Sequence, residues 1–186
     1  MMSTLLTAVG LGLGAGVNAY ATLLVFGLVS RWRPTMFEGE LATFFSSTPV
    51  LIALGVLYAI EFIADKVPAV DHVWDVIHTF VRPAAGALVG WAASANQLPQ
   101  GAVVLATVIA GGAALSTHAA KASVRLASTT TTAGSVNPIL SLVEDVFAIG
   151  TSLIAVLLPW LVAAVVVIVA VFFFLLIRRV RKPQTL

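Results

Sequence analysis

The sequence predicts an all-α protein: a polytopic transmembrane bundle of about six spans, with a possible three-plus-three inverted repeat. Three observations predict it. Of the 186 residues 60% are hydrophobic and only 10% charged, with a mean hydropathy of +1.05, whereas a soluble domain carries about 25% charged residues. The apolar residues form long unbroken runs near the ~20 residues that cross a bilayer, not the alternating ~10-residue strands of a membrane barrel. Six of the eight acidic residues, Glu61, Asp65, Asp71, Asp75, Glu144 and Asp145, lie inside or beside those runs, where a carboxylate costs about 3 kcal/mol or more.

Six apolar stretches are expected as helices, over residues 5–29, 48–64, 68–95, 102–126, 138–158 and 160–177. The third is polar in its first half and contains Pro83. It reads either as one span through a proline kink or as a re-entrant helix over 68–82. The sixth holds no charge and is expected to face lipid. The chain reads as one transmembrane domain, 1–186, with possible halves 1–97 and 98–177 and a basic tail over 178–186. That tail, Arg178-Arg179-Val180-Arg181-Lys182, is expected in the cytoplasm. Six spans then put the N-terminus there too, beside turns at Asp65–Asp71 and Lys121–Asn137. A five-span alternative puts the N-terminus outside. Ala19-Tyr20-Ala21 resembles a signal-peptide cleavage site, but no basic residue precedes Arg31, so cleavage is not expected.

Internal similarity suggests the repeat. Gly16-Val17-Asn18-Ala19 matches Ser116-Thr117-His118-Ala119, and Pro49-Val50-Leu51 matches Pro138-Ile139-Leu140. An odd number of spans per half would invert one half relative to the other. A competing register pairs Pro68 and Asp75 with Pro138 and Asp145. Glycines at 10, 12, 14 and 16, and at 86 and 90, let helix backbones approach closely, as tight packing or as a sliding seam.

Composition also excludes. Without cysteine there are no thiolate ligands, and Met1, Met2 and Met36 lie outside the strong spans, so a Cu(I) site is not expected. No basic face interleaved with aromatics suits nucleic acid. The motifs of intramembrane aspartyl proteases, rhomboid proteases and His-Glu-x-x-His metalloproteases are missing from the sequence, and no enzyme is expected.

Glu61 and Asp65, four apart, share a helix face. Asp71, Asp75, His78 and Arg82, spaced four, three and four, form a stripe on the next helix. It reads either as a solvated amphipathic face or as the lining of a bundle interior. His118, Lys121 and Arg125 form a basic stripe. Glu144 and Asp145 lie about 100° apart on one helix, so only one is expected to face a given site. Six interior acids against Lys66, Arg82, Lys121 and Arg125 leave two negative charges, which protons or a cation would neutralise. The expected ion-binding set is Glu61, Asp65, Asp71, Asp75, Glu144, Asp145 and the amide oxygen of Asn18. Asp75, His78, His118 and Glu144 are the metal-ligand candidates. Lys66, Arg82, Lys121 and Arg125 are the counter-charges. A divalent ion, Mn, Zn, Fe, Mg or Ca, suits such ligands.

These segments carry a resemblance. Gly16-Val17-Asn18-Ala19-Tyr20, Glu61-Phe62-Ile63-Ala64-Asp65-Lys66-Val67-Pro68, Asp71-x-x-Trp74-Asp75, Arg82-Pro83-x-x-Gly86, His118-Ala119-x-Lys121-Ala122 and Ser141-Leu142-x-Glu144-Asp145 resemble domain-of-unknown-function family 4126. The resemblance runs from about residue 9 to residue 158 and implies a multi-pass bacterial inner-membrane protein without naming a substrate. Glu61 to Lys66 also resembles, more distantly, the Glu-x-Gly-Asp-Lys signature of cation/proton exchangers, which have inverted three-helix repeats. Here the acids are four apart and Ala64 replaces the glycine.

The expected function is therefore a small secondary transporter of cations, divalent metals coupled to protons, acting through an intramembrane carboxylate and histidine site. The partners this reading allows are the lipid bilayer, a small ion and, in a homo-oligomer, further copies of the chain. One alternative is a transporter or flippase of an anionic substrate such as a lipid phosphate, bound by Lys66, Arg82, Lys121 and Arg125. The other is a non-transporting scaffold. What lies opposite the acids separates the three.

Overall fold

Asn18 splits the first apolar run. The structure is a computed structural model describing residues 1–66, 68–167 and 171, with the side chains of 68–73 excepted. In it, Asn18 has extended backbone between α1 (Met2–Val17) and α2 (Ala19–Trp32). Its Oδ1 accepts from the Ala21 amide and so satisfies one of the donors that a helix N-terminus leaves open. Because one side chain supplies this cap, the break needs no polar loop, and hydropathy cannot register it.

The chain doubles back at this break. α1 runs antiparallel to α7 (Asn137–Leu157). Thr7 Oγ1 donates to the Ala155 carbonyl at 2.9 Å, and a methyl on Gly14 would stand 2.6 Å from Ser152 Oγ. α2 runs parallel to α7, with Asn18 against Asp145 and Thr22 Oγ1 accepting from Ser152 Oγ at 3.0 Å. At 1.5 Å per residue the two helices are about 24 and 21 Å long, short of a ~30 Å hydrocarbon core. The single span expected over 5–29 is thus a helical hairpin. The N-terminal end lies beside Gln97, whose Oε1 accepts from Thr4 Oγ1 and whose amide donates to the Met36 carbonyl. This is the opposite end of the bundle from Asp65 and Lys121, where the six-span reading had placed it.

The remaining described helices are α3 (Glu40–Ser46), α4 (Thr48–Ala64), α5 (Pro68–Ser94) and α6 (Gln100–Thr132). Residues 159–167 are also helical, and no strand occurs among the described residues. α5 continues through Pro83, so the third stretch is one helix. Among the described residues, only α6 and α7 are long and apolar enough to cross a membrane alone. The pair α3–α4, bent by 64°, adds a third if it counts as one span. This is compatible with a membrane protein but is fewer spans than the six expected. α1 and α2 are too short, and the charges of α5 dilute its apolar character. Half of the sixth stretch and the whole basic tail lie outside the described residues. The matched tetrapeptides also differ in setting: Asn18 sits at a helix break and His118 inside the unbroken α6. That register of the inverted repeat gains no support from the described helices.

α1 packs against α5, α6 and α7, and small residues make this possible. A methyl on Gly86 would stand 2.6 Å from Ala114 Cβ, and one on Gly90 2.5 Å from Ala110 Cβ. Gly12 and Gly16 abut the α6 backbone at Ala110 and Ala114. The glycines thus serve close helix packing. Each inner face changes character along its length. On α6, Ala106, Ala110 and Ala114 give way to His118, Lys121 and Arg125, all buried. The outer faces are apolar, with Ile52, Ile63, Phe80, Val108 and Val146 all more than 60% exposed. Charge inside and hydrocarbon outside suits a lipid surround.

Candidate ion site at one end of the bundle

The end of α4, the first half of α5, the second half of α6 and the first half of α7 meet at the Asn18 break. Five of the six nominated acids converge there. The side chain of the sixth, Asp71, lies outside the described residues. A span of ~20 residues counted from the start of α6 would end at about Ala119, beside this cluster.

Arg82, fully buried, organises one half. Its Nη2 donates to Glu61 Oε1 at 3.0 Å, and its Nη1 donates to Asp75 Oδ1 at 3.2 Å and to His118 Nδ1 at 2.6 Å. His118 Nε2 lies 3.1 Å from Thr79 Oγ1, whose hydroxyl donates to the Asp75 carbonyl. Guanidinium is donor-only, so Nδ1 of His118 accepts and Nε2 carries the hydrogen. His78 is the reverse. Its Nδ1 donates to the Trp74 carbonyl at 2.8 Å. Its Nε2 lies 3.9 Å from Glu61 Oε1, with no hydrogen-bond partner among the described residues. A ring lone pair there faces a carboxylate oxygen, and a single proton on either group would resolve the opposition. The stripe of Asp75, His78 and Arg82 therefore faces the bundle, as one reading of its spacing required.

Lys121 and Arg125 organise the other half. Lys121 Nζ donates to Asp65 Oδ2 at 3.0 Å and to the Val17 carbonyl at 3.2 Å, and lies 3.3 Å from Glu144 Oε2. Arg125 pairs with both Asp65 and Glu144 and also donates to the Asp65 backbone carbonyl at the end of α4. Asp145 turns the other way, as its offset from Glu144 requires. Its Oδ1 accepts from Asn18 Nδ2 at 2.9 Å. Asn18 thus contributes its amide NH₂ to the site, while its oxygen caps α2.

Among the described side chains five carboxylates face three bases, which leaves two negative charges. Three buried carboxylate oxygens, Glu61 Oε2, Asp65 Oδ1 and Asp145 Oδ2, have no hydrogen-bond partner among the described residues. Lys66, nominated as a fourth counter-charge, makes no ion pair among the described residues. Its Nζ donates to the Phe62 carbonyl and stands 3.0 Å over the Phe62 ring. The four metal-ligand candidates do not gather as a set. Asp75 and His118 are bonded to Arg82, His78 faces Glu61, and Glu144 pairs with Arg125 and Lys121. A guanidinium occupies the lone pairs that a metal would use, and among the described residues no group of three or more His, Asp or Glu is placed to hold one. The pattern of charges did not reveal Val17, Thr79 or Trp74, which act partly through backbone oxygens. Asn18 after a glycine-rich run is itself a helix-start signal.

Replacing Asn18 with leucine removes the α2 cap and the described donor to Asp145. The expected loss is about 2–4 kcal/mol, roughly 1 from the cap and the rest from the unpaired carboxylate. Asn18→Ser keeps a capping oxygen but reaches Asp145 less well, and should fall between. Thermal unfolding of the purified proteins checks this order, and a leucine variant as stable as wild type would refute the cap-and-clamp role.

No curated protein and no solved structure matches the chain. Its helical architecture, with charged residues converging at one end of an otherwise apolar bundle, spans the segments whose resemblance was read from sequence. Over residues 5–179 the chain matches the family described as "Domain of unknown function (DUF4126)", and it belongs to that family.

Proposed function

We propose that this protein is a small secondary transporter of cations coupled to protons, working through the carboxylate network at the Asn18 end of the bundle. One observation carries the reading: among the described residues five buried or half-buried carboxylates are matched by three bases, and three of their oxygens have no hydrogen-bond partner there. A buried excess of two negative charges is costly unless cations or protons neutralise it. Competition between the two for the same charge is the coupling. An anionic substrate is disfavoured, because Arg82, Lys121 and Arg125 are already committed to carboxylates. The chain break at Asn18 adds support, since discontinuous helices hold ion sites in many transporters. The basic tail supports a bacterial inner-membrane location with a cytoplasmic C-terminus.

The purified full chain, titrated in weakly buffered solution with Na⁺, K⁺, NH₄⁺, Mg²⁺, Ca²⁺, Mn²⁺ and Zn²⁺, should bind at least one of them with proton release. Asp145→Asn, which removes one surplus charge and keeps the shape, should weaken binding and reduce the protons released. No heat and no proton release with any of these ions, or with an organic ammonium, would overturn the reading.

A further inference from the structure

Lys121 is held as a bound ion would be. Its ammonium meets three oxygens from three elements: the Val17 carbonyl at the end of α1, Asp65 Oδ2 at the end of α4, and Glu144 Oε2 on α7. Three acceptors match the three hydrogens of an ammonium. The Val17 carbonyl also belongs to the negative end of the α1 dipole. The separations of 3.0–3.3 Å suit N–H···O contacts, not the ~2.3–2.6 Å of a calcium site. The carboxylate of Asp65, 2% exposed, keeps a second oxygen without a hydrogen-bond partner among the described residues.

Beside this trio, between α6 and α7, lies a cavity of about 320 Å³, within the ~300–1,000 Å³ range of small-molecule sites. Lys121 and Glu144 stand on its wall, which is otherwise almost wholly apolar and includes Val124, Leu140, Val143 and Phe147. Val124, Val143 and Phe147 are exposed on the outer face, so the cavity opens toward the side that lipid would cover.

We propose that this cavity binds a primary organic ammonium with an apolar body, its charged head replacing that of Lys121 on Val17, Asp65 and Glu144. The inference rests on the cation-transport reading and names its substrate class. Exchange of one ammonium for another leaves the charge of the network unchanged. The carboxylates are never left without a cation, and that is the costly step in a buried site. The long flexible stem of Lys121 lets its head withdraw toward the membrane boundary as the substrate enters.

Hexylammonium, hexanol and hexanoate test this on the full chain by calorimetry. Hexylammonium should bind and the other two should not. Lys121→Met removes the tethered competitor and should tighten hexylammonium binding at least about tenfold. Adding Glu144→Gln to that variant should reverse the gain. If Lys121→Met does not fold, Val143→Trp decides, because it fills the cavity from an exposed wall position and should abolish binding. Hexanol binding as tightly as hexylammonium would show an apolar cleft only, hexanoate binding would show an anion site, and unchanged binding in Val143→Trp would move the site elsewhere. Each of these overturns the proposal, as does a failure of hexylammonium to bind. Proton-releasing binding of an inorganic cation without hexylammonium binding would sink this inference and leave the transport reading standing. Loss of both would sink both.

Discussion

Replacing Arg82 with methionine should destabilise the protein by about 3–5 kcal/mol, the cost of breaking a buried ion pair from one side. Arg82 is fully buried and serves Glu61, Asp75 and His118 together. Its loss strands Glu61, also fully buried, with no cation at hydrogen-bond distance among the described residues. Lysine should not rescue the site, because Arg82 reaches Glu61 from Nη2 but Asp75 and His118 from Nη1, and a single ammonium nitrogen cannot stand at both positions of that fork. Adding Glu61→Gln to Arg82→Met should recover part of the loss, since the stranded charge is then removed. Thermal unfolding of the four proteins in detergent measures this. An Arg82→Met variant as stable as wild type would mean that the network is not held by its arginine.

Gly16→Val should be comparably severe. A methyl at Gly16 would overlap Thr117 Oγ1 and the Ala114 carbonyl oxygen, and Thr117 also donates to the Leu13 carbonyl. Overpacking a well-fitted interior costs about 1–3 kcal/mol, occasionally more. The upper end is expected here because backbone atoms cannot rotate aside. Pushing α1 away from α6 would also carry the Val17 carbonyl off Lys121, joining packing to the ion site. Gly112, on α6 with open space around the position of an added methyl, is the control, and its valine variant should stay within about 0.5 kcal/mol of wild type. Equal unfolding temperatures for the two variants would remove the α1–α6 contact from the account.

Much of the site was legible because helical spacing is local. Asp75, His78 and Arg82 lie on one face at any location in a fold, and their four-residue and three-residue steps were enough to aim them together. The same holds for His118, Lys121 and Arg125, and for the divergence of Glu144 from Asp145. What each group would meet was not legible. Three bases were rightly expected to pair with acids, but Lys66 folds back on Phe62. Three of the four metal-ligand candidates are held by bases instead, Asp75 and His118 by Arg82 and Glu144 by Lys121 and Arg125.

Hydropathy does not reveal the path of the chain. A hydropathy run measures how much of a segment prefers lipid, and 5–29 does so throughout. It does not measure direction, and one asparagine side chain reversed the chain without adding any polar stretch. That reversal changed which end of the bundle holds the N-terminus and reduced one expected span to two short helices.

By itself the sequence determined an all-helical chain with lipid-compatible outer faces, small residues where helices must touch, and acids in excess of bases in its interior. These follow from composition and from the 3.6-residue period, which need no knowledge of neighbours. Only the tertiary structure decided that Asn18 is a turning point, that Arg82 and Lys121 occupy the carboxylates, and that a cavity opens beside Lys121. Each of these depends on contacts between residues far apart in sequence. The Asn18–Asp145 and Lys121–Val17 bonds join positions more than 100 residues apart, a separation that no local pattern encodes.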